Sequence, residues 1–232
     1  MKNRPKLAAE CQKRSNEFYK LMFVTNKQDK SIDDYLSLVK ACVASGVTCV
    51  QLREKNASYE SLITFGQALK KFLSSVAIPL IINDNLDLAL ALDADGVHLG
   101  QTDGDVQKAR QRLGTDKIIG LSISSLEQLQ TANSLPIDYV GCGAIFPTQN
   151  KIDITTIIGL EGLQQLASLS KHPMVAIGGI NLSNAREVMQ TGCRGIAAIG
   201  VFHHPADGAT ATQKLRQMRD EKDAYTTRNR NN

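Results

Sequence analysis

Apolar residues along the chain gather into eight short runs, each closed off by polar residues or glycine. They are KLMFVT (20–25), CVQLRE (49–54), PLIIND (79–84), GVHLG (96–100), KIIGLS (117–122), YVGCGAIF (139–146), MVAIGGI (174–180) and GIAAIGVF (195–202). Runs this short and this punctuated predict β-strands. The segments between them repeat apolar residues at helical spacing instead. Ile32, Tyr35, Leu36, Val39 and Val43 share a face after Ser31, and Leu62, Phe65, Leu69 and Phe72 share another, so both segments predict amphipathic helices, the first capped by Ser31. SSLEQLQTA (124–132) and SNAREVMQTG (183–192) each open on a serine in a capping position, and Gln128 stands three residues beyond Ser125 as in a capping box.

Eight strands alternating with helices, the strands reading as buried runs rather than as half-polar alternations, predict an α/β fold with a parallel sheet closed on itself, a single (β/α)8 TIM barrel. Four loose echoes, ASGVTCVQL, DADGVHLGQ, PIDYVGCG and TGCRGIAAIG, recur where a helix turns into a strand and agree with a repeated β/α unit. The alternative is an open doubly wound sheet. Its nucleotide fingerprints are missing: GCGAIF starts as G-x-G but has Phe146 in place of the third glycine and Pro147 after it, and no G-x-x-x-x-G-K-S/T occurs.

Composition narrows the class without changing it. With 232 residues, 42% hydrophobic and 22% charged, the chain is long enough for one large core. The net charge of +4 is concentrated at the ends: residues 1–20 hold six Lys/Arg against two acids, and residues 214–232 hold six against three, which leaves the body at −3. A basic total of this kind does not make a basic face, and no Lys/Arg stripe with interleaved aromatics points to nucleic acid. The expected organisation is an N-terminal extension (1–19), the barrel (20–213) and a basic C-terminal tail (214–232), with both ends solvated. Cys11, Cys42, Cys49, Cys142 and Cys193 form no C-x-x-C pair, which suits reduced thiols in a cytoplasmic protein. No stretch has the length and apolarity of a membrane span.

A parallel barrel puts the C-terminal ends of all its strands on one rim, so polar residues at those ends face a common bowl. Read off in order, they are Gln51, Arg53 and Lys55; Asn83 and Asp84; Gln101 and Asp103; Ser122; Thr148, Asn150 and Lys151; Gly178 and Gly179; Ile199 and Gly200. The period of two sends Gln51, Arg53 and Lys55 one way and Leu52 and Glu54 the other. Inward cations call either for acids to pair with them or for anionic ligand oxygens. Asp84 and Asp103, at the ends of strands 3 and 4, either cap the helices that follow or together hold Mg²⁺, which takes one or two carboxylates and completes its shell with water and phosphate. Asp87, Asp93, Asp95 and Asp105 read as helix-face, turn or first-turn acids. Glycines at the ends of strands 7 and 8 suit backbone binding of a phosphate. His98 reads as a satisfied core histidine, Cys142 as a small buried residue, and His203-His204 as no metal site.

QLREK, IINDNLDLALALDADGVHLGQTD, GLS, DYVGCGAIFPTQNK, VAIGGI and GIAAIGV, taken in order over residues 20–202, resemble the thiamine-phosphate synthase family. The resemblance implies an α/β barrel that joins hydroxymethylpyrimidine diphosphate to a thiazole phosphate and releases pyrophosphate with Mg²⁺. It implies Gln51, Arg53, Lys55, Asn83, Ser122 and Lys151 as contacts of the pyrimidine diphosphate, with Ser122 as the catalytic candidate. Asp84 and Asp103 would be metal ligands, and Thr148, Asn150, Gly179, Ile199 and Gly200 contacts of the thiazole phosphate. The partners implied are small molecules. The chain departs from the family pattern P-T-x-T-K at Asn150, and has Gly200 where a serine is usual. Two other readings stay open: a thiazole tautomerase on the same fold, expected to carry a histidine where this chain has Ser124, and a non-catalytic barrel that binds thiazole or thiamine phosphates.

Overall fold

The computed structural model describes residues 17–149, 156–203 and 208–230. Eight strands among these residues, β1 (Leu21–Val24), β2 (Cys49–Leu52), β3 (Leu80–Asn83), β4 (Gly96–Leu99), β5 (Ile118–Ile123), β6 (Tyr139–Cys142), β7 (Met174–Ile177) and β8 (Gly195–Ala198), pair in sequence order and close into a barrel. Every pairing is parallel, the last joining β8 to β1. The helices that follow each strand are α1 (Ile32–Ser45), α2 (Tyr59–Ser75), α3 (Leu86–Ala91), α4 (Val106–Leu113), α5 (Leu126–Ala132), α6 (Gly159–Leu169), α7 (Ala185–Gln190) and α8 (Gly208–Arg230). The expected TIM barrel is the fold.

Seven strands are narrower than their runs, while β5 is as long as its own and reaches one residue further, to Ile123. The later runs overshoot at their C-terminal ends because the chain stays apolar as it leaves the ladder for the rim: β8 stops at Ala198 and the chain turns into a 3-10 turn, Gly200–Phe202. Strand alternation sorts the side chains into two cores. Residues facing outward, such as Phe23, Val50, Ile82 and Val140, pack under the helices with Tyr35, Phe65 and Phe202. Those facing inward, among them Met22, Cys49, Ile81, Tyr139, Val175 and Ala197, fill the barrel. Phe18 and Tyr19, just ahead of β1, join the inner set and close its floor, with Phe18 edge-on to Tyr139 at 5.6 Å. Gly195 makes this possible, since a Cβ there would lie 1.8 Å from the Tyr19 carbonyl oxygen.

The helices start where the capping serines predict them, with one exception. Ser31 and Ser125, and with them Ser58 ahead of α2, each accept a bond from the backbone N–H three residues on, which satisfies one of the donors a helix start leaves open. Ser183 does not cap α7. Asn184 stands at that position without a side-chain cap bond, and Ser183 is held by Asn181 instead. The C-terminal segment also differs from expectation. Residues 214–230 continue α8 rather than form a solvated tail, and Ala211, Thr212 and Leu215 are buried. Lys20 pairs with Asp223, and Lys222 donates to the Cys193 carbonyl. The basic charge hid an apolar stripe that is only one residue wide per turn.

Candidate active site

At the C-terminal ends of the strands lies one cavity of about 1200 Å³. Gln51, Arg53, Lys55, Asn83, Asp84, Gln101, Asp103, Ser122, Thr148, Gly178, Gly179, Ile199 and Gly200 all line it. Asn150 and Lys151 lie outside the described residues.

The tip of β2 is built by its neighbour. Buried Thr25, just after β1, accepts from the Arg53 backbone N–H at 2.9 Å. Glu54, pointing the other way as alternation requires, receives the Lys27 N–H on both oxygens. Gln51 is buried, and Arg53 and Lys55 climb toward the opening. Burial lowers the pKa of Arg53, and Asp84 and Glu54 oppose this. A guanidinium remains charged throughout.

Asp84 follows β3 with φ +63°, in the left-handed region that a side chain rarely adopts. Its N–H is bonded to the His98 carbonyl at 2.7 Å, which fixes the bend and turns the carboxylate into the bowl. Asp103 is held by the Gly100 N–H, 2.7 Å from its Oδ2. Gly100 leaves room for that contact, because a Cβ there would sit 2.5 Å from the same oxygen. The two carboxyl groups meet. Partial burial, the hydrogen bond to Asp103 and repulsion from it push Asp84 up to about 6, against the pull of Arg53 and Asn83. Two carboxylates pressed together are short of a cation. Among the described residues no third His, Cys, Asp or Glu joins them as in a closed metal cage, so the donor set fits a hard divalent ion such as Mg²⁺ that keeps positions for water and phosphate. The other acids have structural partners: Asp105 caps α4, Asp87 pairs with Arg112, Asp93 with Lys117 and Asp95 with Lys70.

On the opposite wall Gly178 (φ +100°) and Gly179 (φ +67°) turn the chain sharply after β7. The loop after β6 runs along them, with Ile145 N bonded to Ile177 O and Phe146 N to Gly178 O, and carries Thr148 to the cavity. A Cβ on Gly179 would lie 2.6 Å from the Pro147 carbonyl oxygen.

Two cavity-lining residues were not expected there as functional groups. His98 and Tyr139 project into the barrel beneath Ser122, and both line the cavity. Period two in GVHLG, applied as it was to QLREK, puts His98 on the inner face with Gly96 and Gly100. Ser124 is tied through its N–H and hydroxyl to Gln128 Oε1 at the start of α5.

The family model described as thiamine monophosphate synthase matches residues 21–202. A thiamine-phosphate synthase of Chlamydia abortus is 56% identical over 203 residues, which cover 88% of this chain and 96% of that one. One from Vibrio campbellii is 44% identical over 197 residues, covering 85% and 96%. Among solved structures, thiamine phosphate pyrophosphorylase from Pyrococcus furiosus superposes with a TM-score of 0.78 at 36% identity, over 89% of this chain and 98% of its own.

Proposed function

The chain belongs to the thiamine monophosphate synthase family and is a transferase of thiamine biosynthesis, and from that premise we propose that the bowl joins hydroxymethylpyrimidine diphosphate to a thiazole phosphate with loss of pyrophosphate. The observation that carries this reading is the contact between Asp84 and Asp103 beside Arg53. Acids that crowd one another next to a cation suit a ligand that brings both a divalent ion and negative charge.

A Mg²⁺ ion bound by Asp84 and Asp103 would supply positive charge to the diphosphate oxygens. The rest falls to the chain's own groups. Arg53 and Lys55 line the cavity beside the acid pair and offer charge to the departing diphosphate, where stabilisation counts most because charge grows as the bond breaks. Asn83 and the buried Gln51 suit the pyrimidine. On the far wall, backbone at Gly179, Ile199 and Gly200 with the Thr148 hydroxyl suits the thiazole phosphate, with Asn150 as a further contact, while Lys151 is assigned to the pyrimidine diphosphate. Gly200 offers only backbone there. No side chain is needed as a nucleophile, since the thiazole nitrogen attacks the carbon that the diphosphate leaves, and the enclosing walls keep water from that carbon.

The test is pyrophosphate release from the purified chain given both substrates, with and without Mg²⁺. Release that needs both substrates and the metal, with thiamine phosphate as the other product, supports the reading. Binding of a thiazole phosphate with no turnover under any metal overturns it in favour of a non-catalytic barrel.

A further inference from the structure

Below the bowl, the barrel interior carries a line of polar groups, two of which, His98 and Tyr139, the reaction as described leaves without a role. Gln51, His98 and Tyr139 are all buried, on β2, β4 and β6. The Gln51 amide donates to Met22 Sδ at 3.8 Å. The Tyr139 hydroxyl lies 2.8 Å from His98 Nδ1, and His98 Nε2 lies 2.9 Å from Ser122 Oγ. Apolar side chains would fill this space at no desolvation cost, whereas buried polar groups are tolerated only when they satisfy one another. Here they do, and no buried side-chain nitrogen or oxygen among the described residues lacks a partner.

Two glycines make room for the line. A Cβ on Gly120 would come within 2.2 Å of the Tyr139 ring and 2.5 Å of His98 Nδ1, and one on Gly141 within 2.8 Å of His98 Cε1. Gly120 and Gly141 face inward on β5 and β6, next to Tyr139 and Ser122 in register.

The bonds also have a direction. Burial holds the Tyr139 pKa well above its ordinary value, so the phenol keeps its proton. A buried O–H is costly without an acceptor, and His98 Nδ1, 2.8 Å away, takes the phenol hydrogen. A neutral imidazole then carries its hydrogen on Nε2 and gives it to Ser122 Oγ. The Ser122 hydrogen is left to turn away from His98, toward the cavity that Ser122 lines.

We infer that Tyr139 and His98 are positioning residues that fix the Ser122 hydroxyl as a hydrogen-bond donor to the departing diphosphate. The inference rests on the synthase reading for the identity of that acceptor. It gives Ser122 a definite role, because a hydroxyl already receiving the His98 hydrogen is turned toward an acceptor such as a phosphate oxygen rather than toward the pyrimidine amine. It also separates Ser122 from a serine activated by histidine, which would require the opposite tautomer.

Two measurements test it. In ¹⁵N spectra of histidine-labelled enzyme at neutral pH, with His98 assigned through His98→Gln, the ring shows a bare Nδ1 and a protonated Nε2. A proton on Nδ1 overturns the inference. In steady-state kinetics, Tyr139→Phe and His98→Leu lower kcat by about 10–100-fold, the usual reach of partners that act through another residue, with KM for the pyrimidine diphosphate little changed. His98→Gln, whose amide can still donate to Ser122, recovers most of the loss. On a Ser122→Ala background neither change costs more. Losses that multiply with Ser122→Ala in enzyme of unchanged thermal unfolding overturn the relay while leaving the synthase reading intact. If the unmodified enzyme does not turn over, the synthase reading falls and the proposed acceptor with it.

Discussion

Asp84 combines a left-handed backbone, a bond to the neighbouring strand and a carboxyl partner that repels it. Such a conformation is held at the expense of the free fold. With its pKa raised to about 6, the folded chain holds a proton between about pH 4 and 6 that an unfolded aspartate has released. Acid therefore favours folding in that window, and the benefit is lost as pH rises through about 6. Asp84→Asn removes the charge conflict, so in metal-free buffer at pH 7 its melting temperature should exceed that of the unmodified chain. Solvent screening at this exposed site limits the gain to at most about 1 kcal/mol, roughly 2–4 °C for a domain of this size. At pH 4 the difference vanishes. Added Mg²⁺ raises the melting temperature of the unmodified chain at pH 7 and not that of Asp84→Asn, and both effects are read by thermal unfolding. The same substitution, like Asp103→Ala, lowers kcat/KM by about 10²–10³-fold if the metal carries transition-state charge.

At the scale of elements, close approaches set the site as much as side chains do. Gly100→Ala drives a methyl into the Asp103 carboxylate and should weaken Mg²⁺ binding about tenfold or more by calorimetry, with the fold retained because the cavity offers space on the other side. Ser58→Ala, which removes a true cap of α2, should cost about 1 kcal/mol of stability with no effect on turnover. These elements also show what the sequence could and could not tell. Apolar runs located all eight strands, since burial on both faces leaves no ambiguity about where a strand lies. Several overran the ends, because residues such as Ile145 and Phe146 stay apolar while bonding the last residue of β7 and the glycine after it. Ser183 read as a cap from spacing alone, yet Asn181 and Asn184 compete for the same turn and hold it another way. QLREK and the two acids were legible through period two and strand ends. His98 read as a satisfied core histidine, which its burial and two bonded nitrogens bear out. Its partners were not legible, because Tyr139 and two glycines come from strands far along the chain and only the closed barrel brings them together.

For the whole molecule, the basic C-terminal segment is part of the barrel's outer layer. α8 packs against α1 and α7 and carries fully buried Leu215, while Thr210, Ala211 and Lys214 reach the cavity wall. Leu215→Ala should therefore cost about 2–5 kcal/mol, and removing residues 214–232 should destabilise the chain by more, both read by denaturant unfolding. The strand tips that gather acids, cations and glycines into one bowl come from positions between residues 51 and 200, and only the order of the closed barrel makes them neighbours. The most direct measurement of this account is a crystal of the chain grown with Mn²⁺ and pyrophosphate and recorded for anomalous scattering. The account predicts one strong peak between the carboxylates of Asp84 and Asp103, with a pyrophosphate oxygen beside it and the Arg53 guanidinium on the same anion. A peak elsewhere, or pyrophosphate bound away from both acids, would contradict it.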